Sequence, residues 1–394
     1  MERYFIKNMN PPRSNSFRHI GIISILWLSL FSVYGFSQDT GLRGQVSSWL
    51  TGSFEKKTYP LLGIRFIPEF TLSYGEKNSV DMEAAFNAYG TMDFNPDTDT
   101  PYQSNIKPYR GWVRFKTPQF EARLGLQKIN FGSASLLRPL MLFDTIDPRD
   151  PLQITDGVYA LLLRYYFLSN TNIWFWTLYG NDKTRGWDVF PSVKKSPEFG
   201  GRIQVPIFNG EMALTYHRRR INLDAVLPSL PGITLPDASE NRYGLDGKWD
   251  LGVGIWFEGL LSKKNTTLIP EVWRRSINIG LDYTFGLGNG LAFLAEYFTL
   301  TNSASAFGRG QSARIVSVLL RYPLSILDDI SGIFYYDMEQ KNFYRYVSWQ
   351  RTYDRWKFGV IGFWNPKDVQ IYRAQEGNNL FSGAGFQLLV TYNF

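Results

Sequence analysis

Apolar residues recur at every second position over long stretches of the chain. Leu62, Ile64, Phe66, Phe70, Leu72 and Tyr74 point one way, and Gly63, Arg65, Glu69, Thr71 and Ser73 the other. Val80, Met82, Ala84, Phe86 and Ala88 alternate with Asp81, Glu83, Ala85, Asn87 and Tyr89. Phe199 to Ile207 and Ile277 to Phe285 repeat the pattern. A period of two marks a strand with two unlike faces. The runs last about nine to thirteen residues, the length a tilted strand needs to cross a bilayer and longer than a sandwich strand. Ile173 to Tyr179 (IWFWTLY) is apolar on both faces, so its parity is ambiguous.

The connectors alternate in length. Short ones fall at Glu76–Asn78, Thr117–Gln119, Ser169–Asn170, Asn209–Gly210, Gly286–Gly290, Pro323–Asp328 and Arg351–Asp354. Between them lie Phe94–Asn105, Asn130–Ile154, Asn181–Ser196, Ile221–Ser239, Lys263–Val272, Leu300–Gln311 and Asn365–Asn379. Short turns at one end and long loops at the other are the build of an outer-membrane barrel. The expectation is an all-β fold: one transmembrane antiparallel β-barrel of about 18 strands from Gly44 onward, with 16 as the alternative. The count is even if the weak pair Ile330–Asp337 and Phe343–Arg351 is real, which puts both termini on the periplasmic side. A sheet this large must close, because an open edge in lipid strands unpaired amides.

The last strand, GAGFQLLVTYNF, is the most regular. Phe386, Leu388, Val390, Tyr392 and Phe394 share one face, and Gln387, Leu389, Thr391 and Asn393 the other. The pattern predicts the closing strand, with Tyr392 and Phe394 at the periplasmic girdle. The terminal Phe394 with alternating hydrophobics upstream resembles the signature by which barrel-assembly machinery recognises its clients.

Composition fits. Aromatics reach 16% while mean hydropathy is −0.22 and charged residues are 20%. Amphipathic rings in a polar chain suit two membrane interfaces and a wet interior. Trp249, Trp273, Trp349, Trp356 and Trp364 lie near strand ends as girdle rings. There is no Cys, and of two His residues only His217 lies outside the leader. That excludes disulfides and thiolate sites and disfavours a His-clustered metal site and Ser-His chemistry. No cofactor is implied: nucleotide-loop, GxSxG and HExxH motifs are absent.

Residues 1–37 read as a cleaved signal peptide. Arg3, Lys7, Arg13 and Arg18 precede an apolar run of about 14 residues, Ile20 to Val33, and Gly35 and Ser37 supply the small residues of the cleavage site. Losing those four cations and Glu2 lowers the formal charge from +7 to +4, so the basic balance is partly the leader's and implies no nucleic-acid surface. The barrel is expected over residues 38–394.

Strand parity assigns the inward face. The basic residues expected there are Arg110, Arg114, Lys116, Arg123, Arg164, Arg202 and Arg219; the acidic ones are Glu69, Asp81, Glu83, Glu258, Asp282 and Glu296. A mostly basic arc facing an acidic one sets a transverse field across a narrow pore. The plainer reading is that these charges pair across strands and keep the wall solvated. The longest connector holds Leu136, Leu137, Leu140, Met141, Leu142, Phe143 and Ile146, an apolar content no solvated loop needs. It is expected to fold inward as a constriction, carrying Arg138, Asp144, Asp147, Arg149 and Asp150, with an extracellular cap as the alternative. Arg218–Arg220 is either a contact for lipopolysaccharide phosphate or a rim cluster. Trp174 and Trp176 are candidates for a sugar-stacking wall, and His217 reads as polar filler.

Gln127, Asn130, Phe131, Gly132 and the run Asp147-Pro148-Arg149-Asp150-Pro151 resemble porin-like Gram-negative barrels of the alginate-export and substrate-selective type. Leu126 and Asp147 depart from that pattern, and the match spans about 30 residues. It implies passive diffusion of small hydrophilic solutes through the cell outer membrane. The basic residues add a mild anion preference. Export or uptake of an anionic polysaccharide, and a plugged surface-binding barrel, stay open; a membrane enzyme fits least. Outer-membrane lipids and lipopolysaccharide are the expected surroundings. A homotrimer is common among large porins, but no interface signal decides it.

Overall fold

The computed structural model describes residues 39–54, 59–95, 101–227, 234–367, 371 and 381–394. The expected signal peptide lies outside the described residues. Eighteen strands follow in order: β1 (Asp39–Ser53), β2 (Leu61–Tyr74), β3 (Ser79–Asp93), β4 (Tyr102–Lys116), β5 (Phe120–Gln127) and β6 (Val158–Tyr166). Next come β7 (Asn172–Leu178), β8 (Glu198–Ile207), β9 (Gly210–Ile221), β10 (Ala238–Asp250), β11 (Gly254–Asn265) and β12 (Trp273–Phe285). The last are β13 (Leu291–Ser303), β14 (Gln311–Pro323), β15 (Asp328–Asp337), β16 (Asn342–Tyr353), β17 (Trp356–Trp364) and β18 (Ala384–Asn393). Each pairs antiparallel with its neighbours, and β1 pairs with both β2 and β18, so the sheet closes on itself. The pair at 328–353 is real and the count is 18.

Parity runs as the sequence predicts. Ile64, Phe66, Phe86, Leu124, Phe175, Leu214, Ile279 and Val390 stand exposed on the outside, while their neighbours are covered. An apolar band around a closed sheet is stable only in lipid, where every strand amide must be paired within the protein. β7 resolves as well: Phe175 and Tyr179 face out, Trp176 and Leu178 in. The final strand closes the barrel with reciprocal amide–carbonyl bonds of 3.0 Å between Gly44 and Phe394.

Two irregularities reshape the inner wall. In β4 the register shifts opposite Ala85 and Phe86, so Tyr109 is an extra residue and it and Arg110 are both buried. Bulges commonly re-aim side chains in this way. On β5, Gly125 has φ of 124°, and a Cβ there would lie 2.2 Å from the Gly111 carbonyl. Beyond it Leu126 and Gln127 are both buried.

Inward glycines make room for indoles. An added Cβ on Gly280 would sit 2.3 Å from the Trp256 ring, whereas on outward Gly259 its nearest neighbour is 3.7 Å away. Gly280→Ala is therefore expected to cost about 1–3 kcal/mol by overpacking. Gly259→Ala is expected to be near neutral. The temperature at which the folded band converts to the unfolded band, read on gels of samples heated across a temperature series, measures both.

Candidate functional site

The site is the interior, and its central object is the loop between β5 and β6, residues 128–157. It runs into the barrel and packs against the wall on several sides. Ile129, Phe131, Leu140, Leu142 and Phe143 join Val158, Leu162, Trp176 and Leu178 of β6 and β7. Ala134, Leu136 and Leu137 join Trp256, Phe298, Ile333, Tyr335, Tyr344 and Phe363 across the lumen. Leu152 and Ile154 pack on Ile67, Ala85 and Tyr109.

A loop inside a barrel must still satisfy its amides. Glu296 accepts from the amides of Ser135, Leu136 and Leu137, the Ser135 bond being 2.7 Å. Glu258 accepts from Ala134 and Leu140 at 2.9 and 2.5 Å. Asn278 donates to the Leu137 carbonyl at 2.8 Å and to Glu296 at 3.0 Å. At the other end of the loop Arg110 donates to the Thr155 carbonyl at 3.2 Å.

These contacts correct part of the expected charge pattern. Glu258 and Glu296 face inward but are 0% and 2% exposed, so they hold the loop and do not form an acidic arc over open water. Asp282 also faces inward, near the short turns and 3.9 Å from Lys248. Arg202 and Arg219, at 3% and 2% exposed, are likewise not pore-lining. Arg202 clamps Asp246 at 2.6 Å beneath Phe131, and Arg219 bridges Asp188 and Glu240. The predicted constriction charges mostly shape the loop itself. Arg138 bonds Asp144, Asn130 and the Phe131 carbonyl; Asp147 pairs with Arg149; Asp150 accepts from the Leu152 and Ile154 amides. Trp176 is buried and donates to His217 Nδ1, which fixes the His proton on Nε2 facing Glu198, so the paired-Trp sugar wall is not formed.

The remaining predicted residues do cluster. On the short-turn side of the loop, Arg114, Arg123 and Arg164 keep 26%, 16% and 16% of their side chains exposed. Arg114 pairs with Asp81 at 2.7 Å, Arg123 with Glu121 at 2.8 Å, and Arg164 stacks 3.8 Å from the Trp174 ring. Lys116 follows at the end of β4 with the same inward parity. Glu69 and Glu83 lie on the adjacent β2 and β3 rather than opposite. On the long-loop side is a cavity of about 580 Å³, lined among others by Tyr89, Lys107, Asp156, Lys183 and Arg185. Burial disfavours the Asp156 charge, but the Lys107 and Lys183 ammoniums at 2.7 and 3.0 Å hold its carboxyl below the usual range. Arg65, Tyr109, Arg110, Ile154 and Thr155, all more than nine-tenths buried, lie between the two spaces.

Sequence reasoning missed Glu121, Glu240, Arg242 and Asp246, although strand parity marks each of them as inward. Arg185 and Asp188 come from the 179–197 loop, and no periodic signal points to them. Among the described residues no group of three or more metal-ligating side chains gathers.

No protein-family model matches the chain, and no curated protein matches it. Solved structures do. The chain is similar to OccK5 (OpdH) of Pseudomonas aeruginosa at TM-score 0.55 and 12% identity, covering 91% of this chain and 99% of that one. The outer membrane protein opdK of the same organism gives TM-score 0.55 at 10% identity, covering 91% and 100%. OmpT, an outer membrane protein of Vibrio cholerae in its trimer form, gives 0.53 at 11%, covering 90% and 99%. At such identities the likeness is one of fold.

Replacing Glu296 by Ala leaves three loop amides without an acceptor, at about 1–3 kcal/mol each before water fills in. Amide exchange at residues 135–137 is expected to speed up while the barrel stays folded. Glu296→Gln, which keeps an acceptor, is expected to restore most of the protection.

Proposed function

We propose that the chain is an outer-membrane porin-like channel for passive diffusion of small hydrophilic solutes, with a mild preference for anions. The observation that carries this reading is the inward row Arg114, Arg123 and Arg164. On β4–β6 these three join Arg110 and Lys116; against Glu121 and the neighbouring Glu69, Asp81 and Glu83 that is five cations to four carboxylates, so the wall keeps a small net positive charge after pairing. A narrow passage lined by fixed cations concentrates anions and lowers their entry barrier. The route this implies starts at the 580 Å³ cavity, passes Arg65 and Arg110, and leaves along the arginine row. The fold likeness to outer-membrane proteins supports the location. The trimer form of the similar OmpT makes a homotrimer the oligomer to test first.

The reading is of a channel rather than an enzyme, since both ring nitrogens of wholly buried His217 are engaged. A plugged barrel is the second reading. It is favoured by the burial of the Arg110–Thr155 contact and by the loop's packing on several parts of the wall.

Refolded protein in a planar bilayer under a salt gradient distinguishes the two. Stable steps with an anion-shifted reversal potential are expected, moving toward cations in Arg114→Ala/Arg123→Ala. A folded barrel that does not conduct would overturn the open channel in favour of the plug. Unchanged selectivity in the double variant would remove these arginines from the path.

A further inference from the structure

The outside of the barrel carries its own charge pattern. On β1–β8 no outward-facing strand position holds a charged residue. On β9–β16 charged residues occur at outward positions only near strand ends. At the long-loop end there are six, all cations: Arg218 and Arg220 on β9, Lys263 on β11, Arg275 on β12, Arg314 on β14 and Arg345 on β16. The short-turn end holds one outward cation, Arg351, which is matched by Asp328 at 3.6 Å.

The six are not equally occupied. Arg314 pairs with Glu339 at 2.6 Å, and Arg220 lies 3.8 Å from Asp237. Among the described residues, no carboxylate lies within ion-pair distance of Arg218, Lys263, Arg275 or Arg345. Three of these sit close together. Arg218 and Lys263 both pair across Asn241, and Leu261, two residues before Lys263, pairs with Arg275. Strands spaced about 4.8 Å apart put the three backbones within about 15 Å along one rim. Rings hold two of the heads: Lys263 over Trp273 at 5.2 Å and Arg275 over Phe307 at 5.8 Å. Just below, toward the middle of the wall, Tyr216 and Tyr243 meet at 5.4 Å, and Leu214, Leu245 and Ile279 continue the apolar face.

Cations above an aromatic row above bare aliphatic wall complement an amphiphile with phosphates at its head and acyl chains beneath. We propose that the β9–β12 rim binds the phosphorylated headgroup of an outer-leaflet lipopolysaccharide through Arg218, Lys263 and Arg275, its acyl chains lying on the wall below. The one-sidedness has a physical basis. A cation in the hydrocarbon region is costly and one at its border is not, so unpaired cations confined to one end match a leaflet whose phosphates lie at that depth. The site does not depend on what passes through the lumen.

Native mass spectrometry of the full refolded chain in detergent tests the assignment, with bisphosphorylated lipid A, its dephosphorylated form and phosphatidylglycerol as probes. Lipid A is expected to remain bound at collision energies that strip the other two. Arg218→Gln/Lys263→Gln/Arg275→Gln is expected to weaken it by about tenfold or more. Arg123→Gln inside the barrel is expected to leave it unchanged. Heat-modifiability shows that each variant is folded. Equal retention of dephosphorylated lipid A, or an unaffected triple variant, overturns the site. Equal retention of phosphatidylglycerol overturns its assignment to lipopolysaccharide.

Discussion

Five loop amides meet two carboxylates in the middle of this barrel, and the interior is organised around that contact. Glu258 and Glu296 accept from residues 134–140, where the loop has turned away from any strand that could pair it. Unpaired, those amides would keep the loop in water outside the barrel. Paired, they let Ala134, Leu136 and Leu137 reach the far wall. That apolar contact then fixes which lumen residues are covered and which stay wet.

Strand parity was legible because one chemical fact sets it: half the side chains of each strand meet lipid. Hence Phe386, Leu388, Val390, Tyr392 and Phe394 could be assigned outward, and Arg114, Arg123 and Arg164 inward, from alternation alone. Depth and cover were not legible. Parity treats Glu258 and Arg114 alike, as inward charges, yet one is sealed beneath the loop and the other is a quarter exposed. The difference lies in contacts between residues more than a hundred positions apart, which no local pattern encodes. The expected opposition of basic and acidic arcs failed for that reason. Apart from Asp282 on β12, its acidic half either holds the loop or sits on β2 and β3 beside the arginines.

Composition hid a division of labour among the arginines. Arg114, Arg123 and Arg164 stay partly exposed, Arg202 and Arg219 are held in buried pairs, and Arg218 and Arg220 face outward. The triplet Arg218–Arg220 shows the rule most plainly. Its middle member is buried against Asp188 and Glu240, and its neighbours stand outside. One residue of register separates an internal strut from a headgroup ligand.

The bulge at Tyr109 bears on the interior in the same way. A regular strand would send Tyr109 or Arg110 outward, not both inward. With the extra residue, the Arg110 guanidinium lies 3.9 Å from the Tyr109 ring and reaches Thr155, fastening the returning end of the loop to β4. The loop is thus held at both ends by polar contacts of opposite sense: carboxylates on β11 and β13 receiving its amides, and a guanidinium on β4 giving to its carbonyl. Between these anchors, apolar contacts and the Gly186 amide, which donates to the Asp144 carbonyl at 3.0 Å, fix its position. The space left inside the barrel therefore follows from the packing of Phe131, Leu140 and Phe143 against the wall. Inward charges act on what remains open.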